Sequence, residues 1–292
     1  MKIIKPSVEF FGAVQTDYAG TLAFIERCGR LCYKSEDKIT DSSAEGFVKR
    51  LISAGHLAMV EHSNFVVRLP HNFVAGKKQA PNAPVAYGVG KYFNTYADGD
   101  FTYIGGNLTA WAQLTNKHPN SAGVVPFRII YGDLFSWDSA YLFSDWQVCP
   151  HNEIPNALHR YSAKFICDRG VSHELVRHRP CSFAQESTRY VNYGGKDMEF
   201  IEPAGFAEWP IRSSVDFRVN LRDCEILYEQ LLAEGLKPQQ ARAVLPNALK
   251  TEIIVTADVA EWGHIKKLRT HPSAHPDMVR LTSMIPWSMM GL

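Results

Sequence analysis

The chain has 292 residues, 46% of them apolar, 21% charged and 12% aromatic, a balance that excludes an intrinsically disordered or fibrous protein and is long enough to bury a substantial core. A formal net charge of +1 supplies no overall attraction to nucleic acid or to an anionic membrane, so any anion-binding has to come from locally clustered cations. The six cysteines show no CxxC pairing, MKIIKPSVEFFG has no signal-peptide core, and no apolar run approaches the ~20 residues of a membrane span; a cytoplasmic protein is expected.

In chain order, YAGTLAFIERCGRLC (18–32) and SSAEGFVKRLISA (42–54) carry apolar residues at helical spacing, and HSNFVVRL reads as a strand. From Pro70 to Pro155 the composition turns to Asn, Gly, Tyr and Pro, with one helical stretch at Gly106–Leu114. An inserted subregion of loops and short elements is expected there, acting as a lid or an oligomer contact. NALHRYSAKFICD (156–168) reads as a helix, and Ser172 as the cap of a short second one, HELVRHR, that Pro180 stops. VDFRVNLRDCEILYEQLLAE (215–234) is the clearest amphipathic helix, KPQQARAVL a shorter one, and TEIIVTA a strand. Asp258 and Glu261 form a capping box for VAEWGHIKKLR, and PDMVRLTSMIPWSMM closes the chain as a helix. Helices and strands mix without a βαβ rhythm and without GxGxxG, so the expected fold class is α+β, a mixed sheet with packed helices in a single domain, 1–292.

Arg169, Arg177, Arg179 and Arg189 cluster with Ser182, Gln185, Ser187 and Tyr190, all able to hydrogen-bond a ligand. Guanidinium groups grip phosphate oxygens bidentately and stay charged, so the cluster suits a phosphorylated metabolite. The plainer alternative is a solvated basic face paired with Glu174 and Glu186.

The run RHRPCSFAQESTRY, with Arg177-His178-Arg179, seven residues and then Ser187, resembles the signature of the flavin-dependent thymidylate synthases. Three further blocks lie in that family's order: GHLAMVEHSNF (55–65), ARAVLP (241–246) and TADVAEWGHIKKLRTHPSAHPDM (256–278). The resemblance implies an enzyme that converts dUMP to dTMP with FAD, methylenetetrahydrofolate as one-carbon donor and NADPH as reductant, in a homotetramer with active sites between subunits. It implies flavin contacts from Ala58, Glu61, Arg177, His178, Arg179, Gln185, Asp258, Ala260 and His264, with His56 at a further flavin-site position. Nucleotide contacts are implied from Glu174, Arg177, Gln185, Glu186, Ser187, Arg189, Arg242 and Arg269, with Arg269 as the activating residue.

Ser187 is the other candidate for direct participation. No base accompanies it in sequence, so it is expected to orient the ligand rather than attack uracil. Cys181 inside the signature is expected to be a small buried thiol, and Cys28 and Cys32 the buried face of the first helix. His62 reads as a core histidine or a site residue. His271 and His275 are four apart, but Pro272 and Pro276 break that spacing, so no metal is expected. The chain departs from the family pattern at Ala184, Glu174, Asp258 and Ala260, with Lys91, Tyr92 and Tyr103 of the insert as candidate replacements. A carboxylate at 174 needs an arginine partner to sit near a phosphate. Two competing functions follow: a flavin- and folate-dependent hydroxymethylase of the same lineage, and a nucleic-acid-binding module gripping phosphates through the basic cluster. Near-zero net charge counts against the second.

Overall fold

The computed structural model describes residues 1–70, 92–117, 127, 130–135 and 147–292. Its central sheet is built from β2 (Ser7–Ala13), β7 (Arg160–Asp168), β8 (Ser182–Gln185) and β10 (Lys250–Asp258), all antiparallel, in the order β2-β7-β10-β8. β10 is β-branched and buried from Lys250 to Ala257, as a strand covered on both faces must be. It pairs β7 along its full length, from Lys250 opposite Asp168 to Asp258 opposite Arg160, and takes β8 on its other side. The β2 register shifts between Phe10 and Gly12, where a φ of +83° needs glycine.

One face of this sheet packs Tyr161, Ala163, Phe165, Ile253 and Val255 against α4 (Arg169–Leu175), α7 (Val259–Arg269) and α8 (Pro276–Thr282). The opposite face packs Ala184 and Ile254 on Cys28 and Leu31 of α1 (Tyr18–Tyr33). A second sheet, β4 (Phe93–Ala97), β5 (Phe101–Gly106), β3 (Phe65–Pro70) and β6 (Gln147–Val148) in the order β4-β5-β3-β6, shares a core with α1, α2 (Ser43–Ser53) and α3 (Leu108–Lys117). Trp111 sits at the middle of that core, its indole N–H donating to the Phe65 carbonyl at 3.0 Å. A third layer pairs β1 (Lys2–Ile4) in parallel with β9 (Glu199–Ile201) beside α5 (Ile211–Ala233) and α6 (Pro238–Ala241).

The α+β class is as expected, and several local expectations are corrected. Residues 156–168 are not a helix: after one 3-10 turn at Asn156–Leu158 they form β7, with Tyr161, Ala163, Phe165 and Cys167 buried at the two-residue period of a strand. Asp168 rather than Ser172 therefore caps α4, its carboxylate accepting from the Val171 amide at 2.7 Å. The described part of the 70–155 region is a sheet and a helix with a shared core rather than loops, while Lys91 lies outside the described residues. α5 is longer than expected and mostly exposed, with Leu221, Glu225 and Tyr228 its buried residues.

Candidate functional site

Each of the two central strands ends in an aspartate that starts the next helix, so the sheet aims α4 and α7 directly. Asp258, the last residue of β10, accepts from the Glu261 amide at 2.8 Å and from Asn94 Nδ2 of β4 at 2.8 Å. Two side chains project from α4 toward later segments. Ser172 Oγ accepts from Gln185 Nε2 of β8 at 2.9 Å, and Glu174 meets Arg269 at the end of α7. The signature and the last block, far apart in sequence, thus meet on one short helix.

Arg269 is held on three sides. Its Nη1 donates to Glu174 Oε2 at 2.7 Å, its Nη2 to the Glu174 carbonyl at 3.1 Å, and its Nε to His178 Nε2 at 3.0 Å. The carboxylate at 174, at odds with a nearby phosphate on its own, is therefore paired with arginine. His178 Nε2 faces the Arg269 Nε–H and Nδ1 lies 3.0 Å from Glu261 Oε1, so a neutral ring with its proton on Nδ1 satisfies both contacts. Burial and the adjacent guanidinium hold His178 below the ordinary imidazole range, against the opposing pull of Glu261. Of five guanidinium N–H groups three are engaged, which leaves one on each terminal nitrogen of Arg269 for a ligand.

His178, Glu261 and His264 place one ligand atom each within 4.8 Å of one another, the grouping among the described residues with metal-like spacing. Both His178 nitrogens are already used, one of them by a permanent cation, so the chemistry of the set opposes a metal ion. His271 and His275 do not converge: the first contacts Ser273 Oγ at 2.7 Å and the second accepts from the Asp277 amide at 3.3 Å at the start of α8.

The remaining nucleotide candidates follow β8. Gln185 spends both amide hydrogens, on Ser172 Oγ and on Thr251 Oγ1 at 3.2 Å, so its carbonyl oxygen is the atom free to accept. Arg242 reaches Thr188 Oγ1 at 3.1 Å, and the exposed Arg189 lies 3.4 Å from Gln239 Oε1, which draws the ARAVLP block to the signature. Ser187 Oγ accepts from the Arg189 amide at 3.3 Å and has no base beside it among the described residues. Glu186 turns inward: 2% exposed, its carboxylate takes the Tyr193 hydroxyl at 2.7 Å and Lys250 at 3.4 Å. Lys250 also pairs with Glu252 at 2.6 Å. Although burial pushes Glu252 up, Lys250 and Lys34 hold its carboxyl down to about 2.

Arg177 and Arg179 are exposed on the turn after α4, and no described residue engages either guanidinium. Ala58, Ala260 and His264 are exposed as well, the histidine ring 5.7 Å from that of His178. Glu61 is half-buried, and burial raises its carboxyl while Arg160 opposes. Arg160 went unremarked in the sequence. Fully within the fold, its Nη1 donates to the carbonyls of Glu61 and Ser63 at 2.6 and 2.9 Å. Its Nη2 donates to Ser182 Oγ at 3.0 Å and the Thr256 carbonyl at 3.4 Å. It clasps the first block, the signature and the last block; a lone Arg at the head of an alternating buried run was the available signal. His56 is exposed, whereas His62 is wholly buried with Nδ1 2.7 Å from Thr256 Oγ1, and burial and Arg160 hold it down to about 3. Cys181 and Cys28 are buried thiols pushed well above the ordinary thiol range by desolvation.

Residues 156–286 match the family model described as thymidylate synthase complementing protein. They contain α4, the signature, Arg242, Arg269 and Glu261. The likeness to that family covers this segment of the chain. A flavin-dependent thymidylate synthase of Geobacter sulfurreducens is 39% identical over 101 residues, 35% of this chain and 43% of its own. The enzyme of the same name from Thermococcus onnurineus is 32% identical over 127 residues, 43% of this chain and 50% of its own. That of Corynebacterium efficiens is 38% identical over 125 residues, 38% of this chain and 48% of its own. The chain spans about half the length of the curated relatives it matches. A solved UMP/dUMP methylase of Streptomyces cacaoi, 14% identical, covers 97% of this chain and 88% of that one with a TM-score of 0.40, a distant likeness.

Proposed function

We propose that the chain is a flavin-dependent thymidylate synthase, converting dUMP to dTMP with methylenetetrahydrofolate as one-carbon donor and NADPH as reductant through FAD, as a homotetramer. The observation that carries this reading is the meeting of the signature with Arg269 through Glu174 and His178, inside the segment that matches the family. Arg177 and Arg179, exposed and without a described partner, fit the diphosphate of FAD, with His264, Ala58, Glu61 and Asp258–Ala260 as the further flavin contacts. When bound, the flavin supplies hydride. The chain's own residues bind and orient the nucleotide: Arg189 and Arg242 neutralise its phosphate, the Gln185 carbonyl accepts an N–H, and the two remaining Arg269 N–H groups stabilise negative charge on the uracil carbonyls. Ser187 orients the ligand, and Glu186 acts from behind by holding Lys250 and Tyr193.

The test is product analysis with purified protein, FAD, NADPH, methylenetetrahydrofolate and dUMP. dTMP is expected; 5-hydroxymethyl-dUMP without dTMP assigns the hydroxymethylase and overturns the synthase. Protein that takes up no flavin on reconstitution removes both and returns the arginines to the nucleic-acid reading.

A further inference from the structure

Glu261 stands three residues after a helix-capping aspartate, the position from which a glutamate side chain ordinarily turns back to close the cap. Here only half of that box forms. Asp258 accepts from the Glu261 amide, but the Glu261 carboxylate leaves the cap for His178 Nδ1 at 3.0 Å. Neither the cap nor the helix requires this contact. What it does is decide which ring nitrogen carries the proton.

We propose that Glu261 is a positioning residue: by accepting the Nδ1 proton of His178 it leaves Nε2 as the acceptor that fixes the Arg269 guanidinium. The chain runs Glu261 Oε1, His178 Nδ1–H, His178 Nε2, Arg269 Nε–H, each contact at 3.0 Å, and Glu174 closes the far side of the guanidinium at 2.7 Å. The other tautomer would face Nε2–H toward Nε–H, two donors with nothing between them, and would push Arg269 off its plane. Among the described residues, every charged or titratable group facing the imidazole belongs to this arrangement: Glu261, His264 and Arg269 from α7, with Glu174 of α4 reaching it through Arg269. His178 and Glu261 are largely enclosed, with side chains 5% and 11% exposed, so water does not substitute freely for the carboxylate.

The relay exists or fails as a property of the folded protein, and only its effect on turnover rests on the proposed reaction. Its test is the tautomer of His178, read from the imidazole nitrogen shifts of 15N-labelled protein and assigned by loss in His178→Gln. The expected wild-type form carries the proton on Nδ1. Glu261→Leu, which keeps a good helix former, is expected to move it to Nε2, whereas Glu261→Gln, whose amide oxygen still accepts, is expected to keep it. In the same variants dTMP formation is expected to fall on the order of 10- to 100-fold for Glu261→Leu and to be largely restored in Glu261→Gln, with flavin content unchanged in both, the scale of a misplaced catalytic group. A proton on Nε2 in wild type, or one that stays on Nδ1 in Glu261→Leu, overturns the relay whatever the activity. A tautomer that moves while turnover does not overturns the positioning role. If the tautomer moves as expected and wild type makes no dTMP, the relay stands and the reaction assigned above fails.

Discussion

Arg269→Lys keeps the charge but not the contacts made from three separate nitrogens, since an ammonium lacks the planar fork that spans His178 and the two Glu174 oxygens. Turnover is expected to drop while flavin content stays; steady-state kinetics and flavin absorbance on the same sample check both, and unchanged turnover would remove Arg269 from the activating role. Arg160 is a structural counterpart. Arg160→Met fills the space but strands the Ser63 carbonyl, while the Glu61 carbonyl keeps the Ser182 hydroxyl as a donor, and is expected to cost about 1–3 kcal/mol in urea unfolding. His62 sets a pH dependence. The unfolded chain takes up a proton below the ordinary value of 6.5, while the folded chain refuses it until about 3, so the unfolded state binds more protons and stability falls as pH drops through that window. The slope is up to about 1.4 kcal/mol per pH unit. His62→Asn, which can still bond Thr256, is expected to flatten it in denaturation series run at successive pH values.

At the scale of elements, α5 exposes Ile211, Val215, Val219 and Ile226, a stripe at helical spacing on a 23-residue helix. Its first half exposes Arg212, Arg218 and Arg222 with Asp216, its second half Asp223 and Glu229, so two copies laid antiparallel set opposite charges against each other. That fits the proposed homotetramer, with Val219 near the two-fold axis. Val219→Glu and Val219→Lys are each expected to lower the assembly by one step in light scattering, and mixing the two to restore it; wild-type mass in either variant alone would exclude this face. The elements legible in the sequence were those governed by local periodicity, α1, α2 and β10, whose burial follows one rule along their length. β7 was misread because NALHRYSAKFICD satisfies both a helical and an alternating pattern, and only pairing with β2 and β10 decides between them. β8 was missed because four residues are too few for any period to show. In the site, the arginines of the signature were visible as a cluster, but the Glu261 contact was hidden by a cap pattern that explained the residue equally well.

Across the whole molecule, the two four-stranded sheets both pack on α1, one through Leu22 and Ile25 and the other through Cys28 and Leu31, so the second sheet and the site are expected to unfold together. Trp111→Ala is expected to cost about 3–5 kcal/mol and to move the unfolding midpoint by the same amount whether followed by total helicity or by the fluorescence of Trp262, beneath the other sheet. Separate transitions would show the sheets to be independent.

The arginine clasp also bears on how this chain is free to change. The partners of Arg160 inside the matching segment include a side chain, the Ser182 hydroxyl, whereas toward the N-terminal half it takes only the backbone oxygens of Glu61 and Ser63. Every residue type offers that oxygen. The side chains of the first block at these two positions are therefore free to change, and the segment after it can grow or shrink, while the docking that shapes the site is kept; a family-model match that begins at residue 156 is what such an attachment permits.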